Sequence, residues 1–243
     1  MVRVPSGLLT CFFNDLADNT ATTPLSEFDM RLLVIPLLIL LYGNAQAGDE
    51  PTILIFGDSL SAGYGIDVDQ SWAALLQERL QGLGYEHRVI NASISGETTE
   101  GGKARIGAAI DRFTPALIVL ELGGNDGLRG FPPARMQDNL EAIVATSKAS
   151  GASVVLLGIR IPLNYGSRYT EQFENVFRDV SESEGIPWIE FFMDGVALND
   201  ELMQADGIHP NADAQPILLD NAWPIIARSL GDVSEARASS DNQ

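Results

Sequence analysis

Short apolar runs and stretches of helical spacing alternate along most of the chain. Five runs rich in β-branched and aliphatic residues stand out: Thr52–Phe56, Arg88–Asn91, Leu117–Glu121, Val154–Ile159 and Trp188–Phe191. Between them, Trp72, Leu75, Leu76 and Leu80 recur at the three-to-four spacing of one helix face. Leu140, Ile143 and Val144 do the same, as do Phe173, Val176, Phe177 and Val180. Residues 217–230 read as a last helix. Strands that are apolar on both faces and alternate with helices predict a parallel sheet covered on both sides, an α/β three-layer sandwich.

The pattern differs at the two ends. Leu32–Tyr42 is an unbroken apolar run, shorter than the roughly 20 residues that a membrane-spanning helix needs. Met30-Arg31 precedes it, and Ala45-Gln46-Ala47 supplies a small-x-small cleavage pattern behind it. Residues 30–47 are therefore expected to be a secretory signal peptide cut after Ala47, giving an exported, periplasmic protein with no stable membrane span after signal removal. Residues 1–29 carry Asp15, Asp18, Glu27 and Asp29, an unusual leader for an export signal. They are expected to be an over-extended start, with Met30 as initiator. Leu8-Leu9-Thr10-Cys11 has no apolar run before it and is discounted as a lipid-attachment box. Residues 48–231 then form one domain, followed by a polar tail over 232–243.

Charge and composition narrow the chemistry. The chain has 33 acidic and 15 basic residues, a formal net charge of −18, which repels nucleic acid and anionic lipid. The single cysteine, Cys11, excludes an intrachain disulfide and a cysteine metal cluster. With only His87 and His209 in the sequence, a histidine base must be one of these two.

In parallel sheets, chemistry gathers at the carboxyl ends of the strands. Polar motifs follow those ends here: Gly57-Asp58-Ser59, Ala92 to Gly96, and Gly123-Gly124-Asn125-Asp126. Asp206-Gly207-Ile208-His209 precedes the last helix. A serine hydroxyl becomes a useful nucleophile only when a base removes its proton. Asp206 lies where its carboxylate can turn back to the His209 ring and leave the other ring nitrogen for Ser59. An ordinary loop with a capping acid would present the same two residues. His87, among charges at the start of a strand, reads as a solvated histidine. Gly96 can bring a backbone N–H close to a developing oxyanion, and Asn125 can offer its side-chain amide. Each also has a plain structural use, as a turn glycine and as a helix cap. Asp58 reads as a structural hydrogen-bonder.

Taken in order, Gly57-Asp58-Ser59-Leu60, Gly96, Gly123-Gly124-Asn125-Asp126 and Asp206-Gly207-Ile208-His209-Pro210 resemble the four blocks of the SGNH or GDSL hydrolases. The likeness runs over about residues 51 to 228. Asn91–Gly96, Glu121–Gly130, Asn164-Tyr165-Gly166 and Asp206–Pro216 resemble the multifunctional periplasmic branch of that family, which combines thioesterase, protease, lysophospholipase and arylesterase activities. Ala212 departs from it at a loop position outside catalysis. The resemblance implies a flavodoxin-like five-stranded sheet and a Ser59-Asp206-His209 triad. It also implies an oxyanion hole from the Ser59 amide, the Gly96 amide and Asn125, with no cofactor and no metal.

The expected substrates are acyl esters and thioesters, among them lyso-lipids, acyl-CoA and aryl esters, acted on by a monomer. Leu122, Leu128, Ile161, Pro162 and Leu163 are candidates to line an apolar acyl groove, and the glycine-rich loop around Asn125 is expected to be mobile. Three other readings stay open on the residues: an esterase for acetylated carbohydrate, a non-catalytic binding domain on the same fold, and a metallohydrolase using Asp206, His209 and Asp126.

Overall fold

The computed structural model describes residues 50–230. The expected leader (1–29), signal peptide (30–47) and polar tail (232–243) lie outside the described residues. Five strands form one parallel sheet: β1 (Thr52–Gly57), β2 (Arg88–Asn91), β3 (Pro115–Glu121), β4 (Ser153–Leu157) and β5 (Trp188–Ile189), in the order β2-β1-β3-β4-β5. Seven α-helices accompany them: α1 (Ser59–Ala62), α2 (Trp72–Leu83), α3 (Thr99–Phe113), α4 (Gly124–Leu128), α5 (Pro133–Ala149), α6 (Ser167–Glu184) and α7 (Gln215–Leu230). This is the expected flavodoxin-like order.

The alternation of side chains along a strand builds two cores. Leu54 and Phe56 of β1, Ile118 and Leu120 of β3, and Val154 and Leu156 of β4 face α3, α5 and α6. Ile53, Ile55, Leu117, Val119, Val155 and Leu157 face α2 and α7 instead. Most of these residues are wholly buried, each worth roughly 1.5–3 kcal/mol of transfer free energy. Ser71 caps α2 by accepting from the Ala74 amide at 3.3 Å. The Trp72 amide donates to Gln215 Oε1 at 3.0 Å, joining the start of α2 to the start of α7.

Helix α3 was not expected. Its buried side is thin, only Thr99, Gly102, Ile106 and Ile110, so the apolar periodicity is weak. Gly102 is required there, because a Cβ would lie 2.5 Å from Leu122 Cδ1. Strands β4 and β5 end at Leu157 and Ile189, short of the expected Ile159 and Phe191.

Candidate active site

The first piece of the site is the sharp turn from β1 into α1. Asp58 Oδ1 accepts the Leu60 amide at 3.0 Å and so caps the helix that begins at Ser59. An N-terminal amide of a helix has no intrahelical acceptor, which leaves the Ser59 N–H available. The turn is tied down on the β2 side as well. Gly57 N donates to Ser93 Oγ at 3.1 Å, and Asn91 Nδ2 donates to Ser61 O at 2.7 Å.

The second piece arrives from the far end of the chain. His209 Nε2 lies 2.9 Å from Ser59 Oγ, and His209 Nδ1 lies 2.7 Å from Asp206 Oδ2. Asp206 Oδ1 accepts the amides of Ile208 at 2.9 Å and His209 at 3.0 Å. These bonds, led by the His209 amide and then its ring, lower the Asp206 pKa to about 2. Asp206 is thus held as an anion that fixes the ring with a hydrogen on Nδ1 and a lone pair toward Ser59. An ordinary loop with a capping acid would not place the other ring nitrogen on a serine hydroxyl.

Two residues that the sequence did not single out hold this loop against the Ser59 turn. Gln204 N donates to His209 O at 2.8 Å. Its side-chain Nε2 donates to Tyr64 O at 2.7 Å and Pro210 O at 2.9 Å. The Tyr64 ring then lies on the His209 ring, centroids 4.4 Å apart. The antiparallel pairing of Met203 with Pro210 helps bring Gln204 here, and no motif announces it.

The third piece is the donor loops. Asn125 Nδ2 donates to Asp58 Oδ2 at 3.0 Å, which leaves the second hydrogen of that amide free for another acceptor. Gly96 has φ +80°, a left-handed conformation that suits glycine, in a turn closed by Glu97 N donating to Ile94 O at 3.1 Å. Arg129 Nη2 donates to Gly96 O at 3.0 Å, linking the two donor loops. Asp126 faces away: both its oxygens accept from Thr99, at 2.9 Å from the amide and 2.6 Å from the hydroxyl. It therefore caps α3 and is not presented to His209 as a metal ligand.

Two expectations need correction. Leu122 and Ile161 do not line an open groove; at 0% and 6% exposure they belong to the core beneath α3 and α6. Leu128 is half-buried, Pro162 exposed and Leu163 80% exposed, so these remain at the surface. Near Asn125, Gly127 serves close packing, since a Cβ there would lie 2.6 Å from Phe173, and the Tyr165 hydroxyl donates to Leu128 O at 2.8 Å, while Gly130 has open space around it. His87 is half-buried against Tyr85, ring centroids 6.0 Å apart, and burial lowers its pKa.

The sequence over residues 55–216 matches the GDSL-like Lipase/Acylhydrolase family. The chain belongs to this family. As a GDSL hydrolase it acts on ester bonds. It is 49% identical over 197 residues to Esterase TesA of Pseudomonas aeruginosa, covering 81% of this chain and 98% of that one. It is 43% identical over 186 residues to Thioesterase 1/protease 1/lysophospholipase L1 of Escherichia coli K12, covering 76% and 88% respectively. Among solved structures, esterase EstA from Pseudoalteromonas sp., inhibited by monoethylphosphonate, superposes with a TM-score of 0.72 at 43% identity, covering 74% of this GDSL hydrolase and 99% of that chain.

Proposed function

We propose that this GDSL hydrolase cleaves acyl esters and thioesters through an acyl-enzyme on Ser59. His209 Nε2 takes the proton as Ser59 Oγ bonds to the acyl carbonyl carbon. The carbonyl oxygen becomes an oxyanion facing the Ser59 and Gly96 amides and the free hydrogen of Asn125 Nδ2. Collapse breaks the ester or thioester bond, and the imidazolium returns its proton to the leaving oxygen or sulfur. Water then repeats the sequence: His209 takes its proton, the hydroxide oxygen bonds to the acyl carbon, and the acid departs as Ser59 Oγ regains a hydrogen. Asp206 stabilises the imidazolium in both halves.

The observation that carries this reading is the Asp206–His209–Ser59 relay, at 2.7 and 2.9 Å. The substrate class draws on the relatives' names and on two exposed large apolar side chains close in sequence to site residues, Ile94 two before Gly96 and Ile208 one before His209. That favours acyl chains over acetylated sugar. We read the protein as an exported monomer, released from residues 30–47 by cleavage after Ala47. N-terminal sequencing of the secreted form tests that part.

A fluorophosphonate probe tests the chemistry. It should label the wild type at Ser59 and leave Ser59→Ala unlabelled, with kcat lowered by roughly 10⁴–10⁶. Labelling elsewhere, or undiminished turnover in Ser59→Ala, refutes it. A panel of lysophospholipid, acyl-CoA, aryl ester and acetylated sugar then ranks the substrates, and a preference for the sugar would overturn the acyl-chain reading.

A further inference from the structure

Beneath the Ser59 turn lies a carboxyl group that the acyl-transfer steps do not use. Glu121 ends β3, and its side chain is wholly buried. Oε2 accepts from the Ser61 hydroxyl at 2.7 Å and from the Asp58 amide at 3.4 Å. Oε1 has no hydrogen-bond partner among the described residues. No lysine or arginine among them forms an ion pair with Glu121; its charged neighbour is Asp58, itself buried.

A buried carboxylate without a cation tends to take up a proton, and two carboxyl groups sharing one site do not both ionise readily. The surroundings decide which of the pair stays charged. Asp58 has the Leu60 amide on Oδ1 and the Asn125 amide on Oδ2, with the His209 ring nearby. Glu121 has the Ser61 hydroxyl at 2.7 Å and the Asp58 amide at 3.4 Å on one oxygen, with a smaller contribution from the Ser61 amide. Burial, and next the Asp58 charge, hold Glu121 well above the usual carboxylate range; burial raises Asp58 less far, to about 6.

We propose that Glu121 is a positioning residue for ester hydrolysis, acting as a neutral carboxylic acid whose Oε2 grips the residues on either side of Ser59. Asp58 and Ser61 bracket the serine, so one oxygen fixes the turn at both ends. Gly57 is shaped to the same group: a Cβ there would lie 2.7 Å from Glu121 Oε2 and 2.9 Å from Ser61 Cβ. In the neutral form either partner of the Ser61 contact can supply its hydrogen. A second charge on Glu121 would push against Asp58, which orients Asn125. The inference rests on Ser59 being the nucleophile.

The test compares Glu121→Gln and Glu121→Leu in the full chain. At neutral pH the wild type should show the infrared carbonyl stretch of a protonated carboxylic acid, and Glu121→Gln should lose it. Glu121→Leu should lower kcat by about tenfold or more with KM nearly unchanged. Glu121→Gln should restore kcat to within about threefold of wild type, because its carbonyl accepts the same two bonds. Absence of the band, equal damage in both variants, or wild-type kcat in Glu121→Leu would each overturn the proposal. If Glu121→Leu does not fold, Ser61→Ala cuts the 2.7 Å contact instead, and an undiminished kcat there counts against it. Failure of the fluorophosphonate probe to label wild-type Ser59 would sink the nucleophile reading alone, since the infrared band does not depend on it.

Discussion

Asn125 Nδ2 donates to Asp58 Oδ2 across 3.0 Å, so the amide beside Ser59 takes its direction from the residue before that serine. A side-chain amide with one hydrogen held and the other free is a preorganised donor, the kind that stabilises charge without reorienting during the reaction. Asn125→Ala should therefore lower kcat by roughly 10² to 10³ with little change in KM. Steady-state kinetics on an aryl ester check this, and a loss under about threefold would remove Asn125 from the oxyanion role.

Asp206→Asn should be far more harmful than its size suggests. The asparagine oxygen can still accept the Ile208 and His209 amides that Asp206 Oδ1 holds now. Its NH₂ would then face His209 Nδ1 and force the hydrogen onto Nε2, the nitrogen that must accept from Ser59. A fall in kcat of roughly 10⁴ is expected, by analogy with other triads. Unchanged thermal stability alongside that fall would separate the tautomer effect from unfolding.

Stability should respond to pH in opposite senses at the two acids. Asp206 has a folded pKa of about 2 against an ordinary 3.8, so the folded state binds its proton less tightly. Its contribution is present above the ordinary value and is lost as pH falls through about 2. Glu121 is raised above 4.5, so the folded state binds its proton more tightly and stability declines as pH rises from 4.5 toward the folded value. Denaturant unfolding of wild type and Glu121→Gln between pH 4 and 9 checks the second effect: the variant should gain on the wild type as pH rises.

Gln204→Ala removes two side-chain bonds, to Tyr64 O and Pro210 O. At about 1 kcal/mol net per bond, the two together amount to about 2 kcal/mol, roughly thirtyfold in kcat/KM if the loss falls on the placement of His209. The kinetic change should exceed that of Tyr64→Phe, which keeps both the backbone carbonyl and the ring on His209. Equal kinetics for the two variants and the wild type would show that Gln204 does not position His209.

Gly57→Ala is expected to destabilise the domain by about 1–3 kcal/mol, the usual range for overpacking. The new methyl would press on Glu121 Oε2 at 2.7 Å and on Glu121 O, a backbone atom, at 2.9 Å. Calorimetric melting measures it, and an unchanged Tm would mean that the turn has more room than its geometry allows.

Much of this architecture was readable from side-chain type and spacing because the relevant forces are local or repetitive. Strands β1, β3 and β4 are buried on both faces and so appear as unbroken apolar runs. The residues Ser59, Asn125, Asp206 and His209 are reactive types at the ends of such runs, where a parallel sheet collects chemistry. Other features depend on contacts between distant segments. Helix α3 hides because Gly102 and Thr99 do part of its packing in place of large apolar residues. Leu122 looks like a groove residue from its place next to Asn125, yet the pleat turns it into the core. Nothing in the sequence marks Glu121, at a strand end, as buried, and the approach of Gly57, Asp58 and Ser61 reveals it. Gln204 lies in a loop with no motif, and its partners come from a segment 140 residues away for Tyr64 and six for Pro210.

The hydroxyl and the imidazole that meet at 2.9 Å are 150 residues apart, with every strand of the sheet completed before the imidazole is synthesised. As the chain leaves the ribosome, the serine end emerges first and has no base beside it. On the mechanism proposed above, acyl transfer waits until the segment beyond β5 has docked and α7 has joined α2 through Gln215 and Trp72. On the proposed mechanism, nascent or carboxy-terminally clipped chains are expected to be inert toward esters, so that turnover itself would report that folding has run to completion.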